Sequence, residues 1–174
     1  MSDNVVFLEI DGVLNSDSYF FKRYRNTIGL RMIDIFNLDE DDELVLSKLI
    51  DIDLDALERA IEITNSTNSK AVITSSWKEL ECYDKIKKHL INLGLPIVNK
   101  TLTDYNNRGK GIKEYLKNNN VDRYIIIDDG DFSDYDDELK SHLIRTSFND
   151  GLSDEHVKKA IKLLNGKNLS INKK

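Results

Sequence analysis

An α/β protein built on a central parallel sheet is the fold class this sequence predicts, and three observations predict it. Short β-branched runs alternate with longer segments of helical period along the whole chain. The runs are apolar at nearly every position, the pattern of strands covered on both faces. No repeat or low-complexity linker interrupts the alternation. With right-handed crossovers, five such strands make a three-layer sandwich around a five-stranded parallel sheet.

The elements follow in order. "NVVFLEI" (4–10) predicts the first strand. "LDALERAIEITNST" (54–67) places Leu54, Leu57 and Ile61 on one stripe and predicts an amphipathic helix. "KAVITSS" (70–76) is a second buried strand. "KELECYDKIKKHLINLG" (78–94) aligns Leu80, Tyr83, Ile86 and Leu90, with Gly94 as its stop. "LPIVNKT" (95–101) is a short third strand, "KGIKEYLKNNN" (110–120) a helix and "RYIIIDDG" (123–130) the fourth strand. "SHLIRTS" (141–147) is the fifth, and "SDEHVKKAIKLLNG" (153–166) a closing helix with Ser153 as N-cap. Residues 16–53 are too long for a simple connection and predict a small cap inserted after the first strand, within one domain spanning 1–174.

The bulk composition excludes several classes. The chain is 40% hydrophobic and 32% charged over 174 residues, enough for a proper core and too apolar for disorder. A net charge of −6 supplies no global attraction to polyanions or anionic membranes. One cysteine, Cys82, forms no internal disulfide, and no apolar run approaches the ~20 residues of a membrane helix. Without a charged leader and apolar signal core at the N-terminus, the expected location is cytoplasmic.

Open parallel sheets bind ligands beyond the carboxyl ends of their strands. There the sequence places Glu9 and Asp11 after strand one, Thr74, Ser75 and Ser76 after strand two, and Asp128 and Asp129 after strand four. Lys110 opens the helix before strand four. Two acidic pairs on one rim repel unless a cation lies between them, and an all-oxygen set suits Mg²⁺. A lysine and a hydroxyl beside the metal would orient phosphoryl oxygens, one carboxylate attacking phosphorus while another protonates the leaving oxygen.

These motifs resemble the haloacid dehalogenase (HAD) superfamily of phosphohydrolases. Its Asp-x-Asp-Gly-Val-Leu motif is matched by Glu9-Ile10-Asp11-Gly12-Val13-Leu14, its Thr/Ser motif by "AVITSSW", its basic motif best by Lys110 and its acidic pair by "YIIIDDGD". "SSW" and "NDGLSDEHV" are similar to the branch found in RNA-repair proteins. The resemblance implies a HAD-like (Rossmann-like) sheet and a catalytic set of Glu9, Asp11, Thr74 and Lys110, with Lys113 the weaker choice for the cation. It implies Mg²⁺ held by Glu9, Asp128, Asp129 and, through its main chain, Asp11. The implied substrate is a small phosphorylated compound, a nucleotide or a nucleic-acid end.

Position 9 departs from the family, whose nucleophile is an aspartate. The extra methylene displaces the carboxylate by about one bond, and a ~1 Å misplacement can cost on the order of 10²-fold in rate. The chain is then a phosphatase tolerating Glu9, a phosphate-binding relative without turnover, or a variant form of an active enzyme. A two-component receiver domain also joins acids, a hydroxyl and a lysine on a parallel sheet, but its acidic pair ends the first strand. "SYFFKRYR" (18–25) either stacks bases or, the favoured reading, packs as a cap helix. The run 39–43 reads as a solvated acidic face, and Trp77 as a packing residue.

Overall fold

A computed structural model describes residues 3–25, 43–103 and 105–166. Its centre is β1 (Asp3–Leu8), which pairs in parallel with β2 (Ser69–Ile73) on one side and β4 (Val121–Asp128) on the other. The outer strands are β3 (Ile97–Lys100) and β5 (Leu143–Arg145), so the sheet order is β3-β2-β1-β4-β5. This is the predicted five-stranded parallel sheet.

Alternation along the strands fills both faces. Val6 and Leu8 of β1, with Ala71, Ile73, Ile125 and Ile127, face one helix layer. That layer contains α3 (Leu54–Thr67), α4 (Tyr83–Asn92) and α7 (Asp154–Asn165), which contribute Ile63, Ile86 and Leu164. Val5 and Phe7, with Val72, Tyr124 and Ile126, face the opposite layer. There α5 (Arg108–Asn118) and α6 (Asp137–Ser141) supply Ile112 and Leu139. Burying each large apolar side chain contributes roughly 1.5–3 kcal/mol.

The ends of elements differ from the sequence expectation for local reasons. β2 stops at Ile73, because Ser75 caps a 3-10 turn over Ser76–Glu79 through Trp77 N–H to Ser75 Oγ (3.3 Å). The helix expected over 78–94 is thereby divided, and its main part, α4, begins at Tyr83. The strand expected over 141–147 shrinks to three residues, since Asp136 caps the unanticipated α6 through Leu139 N–H (3.1 Å). α5 starts at Arg108, two residues before its expected start.

Within the insert, α1 (Asp17–Arg25) precedes α2 (Glu43–Ile50). Tyr19 is buried and donates its hydroxyl to Ile50 O (2.9 Å), whereas Phe21 stays 71% exposed. α2 buries Val45 and Leu49 in the same core as Trp77. Of the acidic run 39–43, residues 39–42 lie outside the described residues. Among the described residues, no helix is long and apolar enough to cross a membrane.

Candidate active site

The parallel register lines up the strand ends. Glu9 N–H donates to Ile127 O (3.0 Å), Thr74 N–H to Leu8 O (3.0 Å) and Thr146 N–H to Asp128 O (2.9 Å). The ladder therefore runs one residue past β1 and β2 and delivers Thr74, Glu9, Asp128 and Thr146 to one rim. Strand order reverses at β1, with β2 on one side and β4 on the other, which is where such sheets bind ligands.

At the centre of the rim lies a buried guanidinium. Arg108, only 1% exposed, pairs with Glu9 Oε2 and lies 2.6 Å from Asp128 Oδ2. Tyr135 donates its hydroxyl to the same Asp128 oxygen (3.2 Å), and Gly130 N–H reaches the other (2.8 Å). Glu9 folds back, its Oε1 accepting from the N–H groups of Ile10 (3.0 Å) and Asp11 (3.3 Å). Burial lifts the Glu9 carboxyl to about 7, with Arg108 opposing and Asp128 reinforcing the rise. Burial works against the charge on Arg108, but Glu9 and Asp128 together hold its pKa above the ordinary value.

The remaining acids lie around this core. Asp11 is half-buried and holds two donors, Asn15 Nδ2 on Oδ1 (2.9 Å) and Trp77 Nε1 on Oδ2 (3.0 Å). Asp129 is raised by burial first and then by Asp128, with Asp11 a smaller influence. Its carboxyl lies over Gly12, where a Cβ would approach it to 2.6 Å; Gly12 also has φ +70°, so no other residue fits the turn without strain. Thr146 Oγ1 holds this turn from the other side by donating to Gly12 O (2.7 Å).

Thr74 carries the most pointed signal. It is fully buried, yet its hydroxyl has no hydrogen-bond partner among the described residues. A buried polar group left unpaired costs about 1–3 kcal/mol, so the Thr74 hydroxyl is free to donate to a ligand oxygen. Behind it Lys78 is buried, with Nζ donating to Thr74 O (3.3 Å) and Thr101 Oγ1 (3.0 Å), and burial lowers its pKa ahead of repulsion from Arg108.

The structure thus brings Glu9, Asp11, Thr74, Asp128 and Asp129 to one mouth and leaves Lys110 out. Lys110 is exposed on the outer face of α5, beside Lys113 and Lys117, and Lys113 pairs with Asp136 (2.6 Å). The cation that meets Glu9 and Asp128 is Arg108. Two residues along a helix turn the side chain by about 200°, so the two-residue error in the start of α5 exchanged the inward cation for an outward one. Arg108, Tyr135 and Lys78 were missed because burial of a charged or phenolic side chain leaves no mark in local sequence. The available signal was "RGKG": Gly109 packs where a Cβ would meet Asp134 O at 2.5 Å, which fixes the side of α5 that turns inward.

As arranged, these side chains do not fit a resident divalent cation. Glu9 and Asp128 face a guanidinium, Asp11 is occupied by Asn15 and Trp77, and no three acidic, His or Cys side chains among the described residues are gathered to hold an ion. The charge that balances the two strand-end carboxylates is supplied by the chain itself, and the chemistry below runs through no metal.

No curated protein and no solved structure matches the chain. A family profile, described as the HAD domain in Swiss Army Knife RNA repair proteins, matches residues 5–157, from the first residues of the central strand into the closing helix. With a five-stranded parallel sheet whose acidic strand ends meet at the point of reversal, the chain belongs to this family of HAD domains.

Proposed function

We propose that the chain hydrolyses phosphomonoesters. The family supports a phosphohydrolase or RNA-repair role in general terms, with nucleic-acid or phosphorylated substrates. The observation that carries the reading to this chain is the pairing of buried Arg108 with an unpartnered Thr74 hydroxyl beside two strand-end acids. Together they offer a cation and a hydrogen-bond donor to phosphoryl oxygens in a site shielded from water, where such interactions act most strongly.

In this reading the substrate's phosphoryl group takes the Arg108 guanidinium and the Thr74 hydroxyl. A Glu9 carboxylate oxygen attacks phosphorus as the ester P–O bond breaks, and Asp11 gives its proton to the departing oxygen. Water then attacks the acyl-phosphate, Asp11 takes back a proton, and phosphate leaves with Glu9 restored. Lys110 is not part of this set. The insert, as a cap, would border the mouth. HAD domains are in general Mg²⁺-dependent; the steps above run through no metal, and release measured with Mg²⁺ and with EDTA reads the dependence of this chain directly.

A second reading has its own support. Both Glu9 oxygens are already engaged, Oε1 by two amides and Oε2 by Arg108, which suits a site that binds phosphate without turnover. One assay separates the two. Phosphate release from nucleotides, sugar phosphates and 3′- or 5′-phosphorylated oligonucleotides is measured for the native chain and Glu9→Asp, with Mg²⁺ and with EDTA. Release by the native chain supports hydrolysis, and release by Glu9→Asp alone shows a hydrolase scaffold that Glu9 has stopped. Phosphate binding with no release from both supports the second reading, and neither binding nor release overturns both.

A further inference from the structure

From the geometry we propose that Trp77 is a positioning residue, whose indole N–H holds the Asp11 carboxylate in the orientation its proton transfer needs. The inference rests on the phosphohydrolase reading only for the consequence in rate; the pairing itself is a separate claim.

Trp77 is 4% exposed and belongs to the same buried core as Val45 and Leu49 of the insert, as a structural tryptophan would. A buried indole N–H nearly always finds an acceptor. Here that acceptor is no nearby carbonyl but Asp11 Oδ2, 66 residues away in sequence and 3.0 Å in space. The opposite oxygen of the same carboxylate takes Asn15 Nδ2 at 2.9 Å, and Asn15, itself 2% exposed, is fixed in turn by accepting from Gly12 N–H (2.9 Å). Two donors from two rigid neighbours therefore set the plane of the carboxylate. Each carboxylate oxygen has a second lone pair, so Asp11 can still exchange a proton while both donors hold it.

The indole is itself located from both ends. Ser75 accepts from the Trp77 backbone N–H (3.3 Å) at the end of β2, and Lys48 of α2 lies over the ring, its Nζ 5.1 Å from the centroid. The contact couples the insert to Asp11 through one side chain. Placement matters at this scale, since a reacting group moved by ~1 Å can lose on the order of 10²-fold in rate.

Trp77 is the single tryptophan in the chain, so the indole N–H gives one resonance in a ¹H–¹⁵N spectrum. Asp11→Ala should shift that resonance clearly while the backbone spectrum away from residues 9–16 stays in place. In whichever of the native chain or Glu9→Asp turns over, Trp77→Phe should lower kcat by about 10- to 100-fold, with KM and affinity for inorganic phosphate unchanged. An indole resonance that stays put in Asp11→Ala overturns the pairing. An unchanged kcat in Trp77→Phe, or a loss that falls on KM alone, overturns the positioning role. If neither protein turns over, the hydrolase reading fails, and the indole resonance decides the pairing by itself.

Discussion

Arg108 is the residue on which the site's electrostatics turn. A fully buried guanidinium is stable only because Glu9 and Asp128 answer its charge, and they are tolerable beside each other only because it lies between them. Removing one partner of such a set strands the others. Arg108→Gln should therefore lose about 3–5 kcal/mol of stability, read as a drop in urea midpoint, and should lose phosphate binding with it. A variant as stable as the native chain would mean that the three groups are not mutually dependent. Glu9 shows the same coupling from the acid side: burial brings its protonation to about 7, where an ordinary glutamate is fully ionised.

At the scale of elements, α7 shows how a helix start can respond to pH. Ser153 caps it by accepting from His156 N–H (3.5 Å), and His156 Nδ1 accepts from Ser153 N–H (3.1 Å), closing a capping box. That acceptor exists only on neutral imidazole. Burial, reinforced by Lys159, lowers the His156 pKa below 6.5, while Glu155 and the Arg145 backbone pull the other way. A depressed folded-state pKa means stability that is whole above the unfolded value of about 6.5 and drains away as pH falls through the folded value. Between pH 7.5 and 5 the native chain should lose about 1 kcal/mol relative to His156→Gln, which keeps an N3 acceptor at every pH and shares the opposing gain from protonation of Glu9. Equal pH dependence in both proteins would remove His156 as the cause.

At the scale of the whole molecule, the parallel sheet concentrates charge. Five strands point the same way, so their carboxyl ends share one rim, and the reversal of order at β1 puts Glu9 and Asp128 where such sheets bind ligands. Such a rim needs positive charge, and the chain meets the need internally. Inorganic phosphate is accordingly expected to raise the melting temperature even in EDTA, by an amount that grows with concentration as binding to the folded state requires. Mg²⁺ alone should leave the curve in place. A rise of several degrees with Mg²⁺ and no phosphate would show that the acids can leave Arg108 to gather around a metal.

What the sequence determined by itself is whatever depends on neighbours along the chain. The period of the apolar residues specified the strands and α3, the Ser153 cap specified the start of α7, and the acids and hydroxyls that follow strands one, two and four were legible as strand-end residues. Tertiary structure alone decided which way side chains face and what they meet. It turned Arg108 inward and Lys110 outward through the phase of α5, made the packed Trp77 a donor to Asp11, and set a guanidinium between Glu9 and Asp128. Those outcomes depend on contacts between segments far apart in sequence, whose distances are created only when the sheet closes its register.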